Sequence, residues 1–64
     1  MQRETIRDNR GFPIGFLEYE SSGDIVVRDE TGKYLGKYQK LSDYTIDANG
    51  RFLYKGNCAK MLLR

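Results

Sequence analysis

The stretch Ile6-Arg-Asp-Asn-Arg-Gly-Phe-Pro-Ile-Gly15 is rewritten 21 residues later as Val27-Arg-Asp-Glu-Thr-Gly-Lys-Tyr-Leu-Gly36. A looser third copy, Thr45-Ile-Asp-Ala-Asn-Gly-Arg-Phe-Leu-Tyr54, follows 18 residues after that. Repetition at so short a period constrains the fold strongly, because each unit has to be one small supersecondary element. The pattern predicts a β-hairpin. An Asp carboxylate accepts backbone N–H groups just downstream and so opens a turn, and a Gly three residues on supplies the positive φ that closes it. Asp8 and Gly11, Asp29 and Gly32, and Asp47 and Gly50 are therefore read as structural turn residues. Asn49-Gly50 is itself a hairpin dipeptide, and β-branched or aromatic residues such as Ile25-Val-Val and Phe52-Leu-Tyr flank the turns.

Three hairpin repeats, about 5–22, 23–42 and 43–56, make one all-β domain spanning 1–64, an antiparallel meander of about six strands. The polar links Glu20-Ser-Ser-Gly-Asp24 and Lys40-Leu-Ser-Asp43 are short enough to be hairpin turns themselves. Alternation is imperfect: Ile14 and Leu17, like Leu35 and Tyr38, are three apart. A bulge at Gly15 and Gly36 would return each pair to one face. Pro13, without an N–H, belongs at a strand start or edge. Residues 57–64 change style, and Asn57 followed by good helix formers predicts a short helical cap. That cap is expected to dock Cys58, Met61 and Leu62 over the sheet, Cys58 as small apolar filler.

The pattern of Ile-Arg, Gly11 and Ile14-Gly15-Phe16-Leu17 followed by Gly23-Asp24-Ile25-Val26, recurring at Val27-Arg28, Gly32 and Leu35-Gly36, resembles the small bacterial β-flower proteins. The likeness covers roughly residues 6 to 55. It implies hairpin petals about a central axis and no enzymatic chemistry, and it brings no site residues with it. Tyr54 in place of the second Gly, and the closing Cys-Ala-Lys-Met-Leu-Leu segment, depart from a strict rotational repeat.

A chain of 64 residues buries only about 60% of its unfolded surface. Such small domains need a further staple. Cys58 is the only cysteine and histidine is absent, so neither an internal disulfide nor a zinc site has its ligands. Self-association is the staple that remains, and a homo-oligomer is expected. The lone cysteine, a start (Met1-Gln-Arg-Glu-Thr-Ile) without an apolar run and the lack of any long apolar stretch predict a cytoplasmic chain free of the membrane.

Candidate chemistry is sparse. Asp8, Asp29 and Asp47 offer one or two oxygens per unit where a hard cation takes six to eight, and hairpin tips are expected to splay apart. No Gly-rich phosphate loop accompanies the Asp-x-x-Gly units. Cys58 and Ser21-Ser22 have no base to activate them, and Glu18 with Glu20 reads as the wet side of a strand. The chain is therefore expected to be no enzyme and to take no cofactor. Arg7 and Arg28, each directly before its Asp, are assigned a structural role, such as pairing with a carboxylate on a neighbouring petal.

Charge is the remaining signal. Residues 1–31 hold four basic and seven acidic side chains, net −3, whereas residues 32–64 hold seven and two, net +5. Lys33 and Lys37 fall at the repeat positions of Arg51 and Lys55, interleaved with Tyr34, Tyr38, Phe52 and Tyr54. Unbroken alternation would put the four cations on one face. The expected function is a non-catalytic protein-interaction or self-assembly module using that surface. The alternative is a nucleic-acid binder, since cationic strips track phosphates and aromatic rings stack on bases. A small-molecule or metal site on the hairpin axis is a third reading.

Overall fold

A computed structural model describes residues 2–63. The Met1 start and the Arg64 end of the expected cap lie outside the described residues. Six strands, β1 (Gln2–Arg7), β2 (Pro13–Tyr19), β3 (Ile25–Asp29), β4 (Tyr34–Gln39), β5 (Tyr44–Asp47) and β6 (Phe52–Lys55), form one open antiparallel sheet in sequence order. The all-β meander read from the repeats is the observed fold, with Pro13 at a strand start.

The three Asp-x-x-Gly turns share one set of bonds. At Asp8, the backbone N–H donates to the Phe12 carbonyl (2.9 Å) and its carbonyl accepts from Gly11 N–H (3.0 Å). Its Oδ1 accepts the N–H groups of Arg10 (2.9 Å) and Phe12 (3.0 Å). Asp29 and Asp47 repeat this, with Gly11, Gly32 and Gly50 at φ +88, +92 and +86. The Glu20 link uses the same backbone pattern with Gly23, so the turn recurs once beyond the visible repeat.

Each of these three repeat hairpins carries one bulge. Ile6 pairs with Gly15 and Arg7 with Pro13, so Ile14 is the extra residue. Leu35 and Leu53 are extra in the same way. The bulge thus lies one residue before Gly15 and Gly36, and Ile14 and Leu35 fold back to pack against the core, as the three-residue spacing requires.

The main core cluster is on one side of the sheet, while Ile46, also buried, points to the other. Leu17, Ile25 and Val27 are buried in that cluster beneath Ala59 and Leu63, with Ile6, Tyr19, Tyr38 and Leu62 around them. The cap differs from the expected one. It is a single 3-10 turn, Ala59–Leu62, because so short a segment cannot nucleate an α-helix. Ala59, Leu62 and Leu63 dock, whereas Met61 is 41% exposed and Cys58 only half-buried. The second Gly of the repeat makes room for them: a Cβ at Gly15 would strike the Leu63 side chain, and one at Gly36 would meet Leu62 Cδ1 at 2.9 Å and the Ile46 carbonyl.

Thr45, fully buried, ties this segment down. Its hydroxyl donates to the Gly56 carbonyl (2.8 Å) and accepts the Cys58 N–H (2.9 Å). Thr45→Val keeps the shape but removes both hydroxyl bonds, leaving the Cys58 N–H only its longer contact with the Gly56 carbonyl (3.1 Å). A loss of about 1–3 kcal/mol is therefore expected in urea unfolding, with residues 57–63 exchanging amide protons faster. Gly36→Ala should cost at least about 1–3 kcal/mol, because its Cβ meets the Ile46 backbone carbonyl as well as Leu62 and its φ of +147 disfavours a side chain, read as a lower melting temperature.

Candidate functional site

Residues opposed across strands point to the same face, so the register sorts every strand side chain. One row runs Gln2, Tyr19, Ile25, Tyr38, Thr45, Tyr54 across all six strands, on the face covered by the 3-10 turn. The adjacent row, Arg3, Glu18, Val26, Lys37, Ile46, Phe52, lies on the opposite, open face. Beside it on the open face come Thr5, Phe16, Arg28 and Tyr34 on one flank and Gln39, Tyr44 and Lys55 on the other.

The eight residues predicted as one surface therefore divide. Tyr34, Lys37, Phe52 and Lys55 share the open face, whereas Tyr38 and Tyr54 lie in the covered row. Lys33 and Arg51 are at turn tips, their N–H groups held by Asp29 and Asp47. The bulges at Leu35 and Leu53 separate them, since each inserts a residue into the count. Arg3, Phe16, Arg28 and Tyr44 share the open face as well, placed there by cross-strand register that no single repeat contains.

All five strand cations (Arg3, Arg7, Arg28, Lys37 and Lys55) fall on the open face. Of four strand carboxylates, only Glu18 joins them; Glu4, Asp29 and Asp47 are on the other face. Glu18 lies between two guanidinium groups, Arg28 Nε at 3.0 Å and Arg3 Nε at 3.8 Å. Lys37 and Lys55 reach carboxylates at the rim, Asp24 and Asp43, each at 3.9 Å. The exposed Lys55–Asp43 pair is worth about 0–1 kcal/mol, whereas the Arg28–Glu18 and Lys37–Asp24 pairs are part-buried. The Arg3 guanidinium lies 4.1 Å above the Phe16 ring, Lys55 Nζ lies 5.0 Å above Tyr44, and the Tyr44 and Phe52 rings meet at 4.8 Å.

The paired Arg residues also brace turns. Arg7 donates to the Gly11 carbonyl (3.0 Å) and Arg28 to the Gly32 carbonyl (3.2 Å), and Arg28 adds the bond to Glu18 on the neighbouring hairpin. On the covered face the Tyr19 hydroxyl donates to Glu4 (2.6 Å) and Tyr38 to Asp43 (2.8 Å). Each hydrogen bond, with the nearby negative charge, raises the phenol above its ordinary range.

Two clefts flank the 3-10 turn. One, about 460 Å³, is bordered by Leu17, Tyr19, Ile25, Asn57, Cys58 and Met61 among others. The other, about 510 Å³, lies between the turn and the first two hairpin tips, with Asp8, Asp29 and Glu30 at its rim. Both tips border this cleft. Their Asp Oδ1 atoms are committed to turn N–H groups. Among the described residues no group of three or more Asp, Glu, Cys or His side chains is placed to share a cation. No helix among them is long and apolar enough to cross a membrane.

Asp29 has a further donor, the Thr31 hydroxyl at 2.6 Å, and this bond above all, with the Lys33 N–H, holds its carboxyl below the usual range. A lowered folded pKa adds stability that is complete above the unfolded value and is lost as pH falls through the folded one. Asp29→Asn retains an acceptor oxygen without the charge. Its melting temperature is expected to fall less steeply than that of the parent between pH about 5 and 2, in thermal melts followed by circular dichroism.

Compared with family models, curated proteins and solved structures, the chain matches none of them.

Proposed function

We propose that the chain is a non-catalytic self-assembly module of a reducing compartment, joined to a second copy of itself through β6. The observation that carries this reading is the exposure of the β6 edge. Phe52, Leu53 and Tyr54 are 54%, 40% and 36% exposed on a strand with a neighbour on one side only. A run of exposed apolar residues on a free edge is what added strands cover. The opposite edge, β1, is protected by Arg3, Glu4 and Arg7.

Departure from the repeat explains the difference between the edges. Ile14 and Leu35 fold onto the core beside a glycine, but the third unit has Tyr54 there and leaves Leu53 outside. A twofold axis between Leu53 and Tyr54 sets Phe52 of each copy against Lys55 of the other. No like charges then meet, and Lys55 is flanked by its own Tyr44 and the second Phe52. The likeness of the repeats to β-flower petals accords with an architectural role.

Sedimentation velocity of the parent chain is expected to give a dimer or larger species, little affected by salt. Leu53→Lys, which introduces an edge charge at an already exposed position, should return it to monomer with an unchanged circular dichroism spectrum. A parent chain that stays monomeric to its solubility limit would sink the reading.

A further inference from the structure

We propose, independently of the assembly reading, that the open face of the sheet binds single-stranded nucleic acid. The sheet register segregates charge by face: five strand cations and one carboxylate on the open side, three carboxylates and no strand cation on the covered side. Even with Asp24 and Asp43 reaching Lys37 and Lys55 from the rim, the open face keeps an excess of cations, which favours the approach of a polyanion from that side.

The cations are spread across the sheet. Arg3, Arg28, Lys37 and Lys55 come from β1, β3, β4 and β6, with the rings of Phe16, Tyr34, Tyr44 and Phe52 interleaved on β2, β4, β5 and β6. Neighbouring strands are about 4.8 Å apart, so the row places positive charge at intervals along a track. The carboxylates now paired with these cations lie at 3.0–3.9 Å, and a phosphate can take their place. Tyr44 and Phe52, 4.8 Å apart and tilted by 49°, form a ring platform at one end, with Lys55 over Tyr44 and Phe52 more than half exposed. Rings set among cations suit bases that are free to stack, which a duplex withholds. Single strands are therefore the favoured partner. Pairing of β6 edges sets a second Phe52 beside Lys55 at the rim and leaves the rest of this face, with Arg3, Arg28 and Lys37, uncovered.

The test is fluorescence anisotropy of labelled single-stranded DNA and RNA, the matching duplex, and vesicles containing anionic phospholipid, at several salt concentrations. For about four phosphates neutralised, the log–log salt slope for single strands should be near −3. Lys37→Ala is expected to weaken single-strand binding several-fold and to flatten that slope by about 0.7. Lys60→Ala removes the same charge from the 3-10 turn, whose packing is on the covered face, and should leave binding unchanged. Phe52→Ala should weaken binding without altering the slope. Leu53→Lys, tested in parallel, should still bind, which keeps failure of this proposal distinct from failure of assembly. The proposal is overturned by absence of binding at low salt, by equal losses from Lys37→Ala and Lys60→Ala, or by tighter binding to duplex or vesicles than to single strands. Unchanged circular dichroism spectra and melting temperatures for the alanine variants exclude unfolding as the cause of a loss.

Discussion

A single carboxylate oxygen accepting two backbone N–H groups is the contact on which this structure is built. Asp8, Asp29 and Asp47 each make it, and each is followed at the third position by a glycine with φ near +90°. The turn fixes where the two strands begin to pair, and the bulge that follows shifts the count by one residue. In a sheet a shift of one exchanges every later side chain between faces. The identity of both surfaces therefore follows from a turn at the sheet's end. Arg7 and Arg28 strengthen two of the turns through their glycine carbonyls, which accounts for an Arg written directly before Asp.

A meander of this size has little to bury, and the last residues supply much of what covers it. Ala59 and Leu63 close over Leu17, Ile25 and Val27, in space kept open by the missing side chains of Gly15 and Gly36. Thr45 fastens the segment by bonding both Gly56 and Cys58, and no buried side-chain N or O among the described residues lacks a partner. Covering one face this way leaves most of the other without a covering element, with Ile46 its one buried core residue among those described. It also leaves β6 as an edge whose apolar side chains stay largely exposed.

Fold class, strand number and three of the turns were legible in the sequence, because turn chemistry is local: Asp and Gly act within five residues of each other. The need for a bulge was legible too, from apolar pairs three apart. Its position was not, since Ile14 and Gly15 are equally compatible with the spacing and only pairing with Ile6 and Arg7 decides between them. The candidate surface failed at the same point. Counting from Lys33 to Lys37 and from Arg51 to Lys55 without the extra residue at Leu35 or Leu53 joins side chains that the sheet separates. The cap was legible as a segment and wrong in its contacts, because a single 3-10 turn presents Ala59, Leu62 and Leu63 where helical spacing selects Cys58, Met61 and Leu62.

Charge shows the division most clearly. Read along the chain, it separates an acidic first half from a basic second half. In the folded sheet that division dissolves, since Arg3 and Arg28 come from the acidic half and join Lys37 and Lys55 on the open face. By itself the sequence determined that hairpins would form, how many, and with which turns, through interactions between residues close in the chain. Which side chains share a face, which edge stays bare and what covers the core were decided only by the tertiary structure. Those properties depend on register between strands and on the docking of the last turn, and neither is encoded within any one repeat.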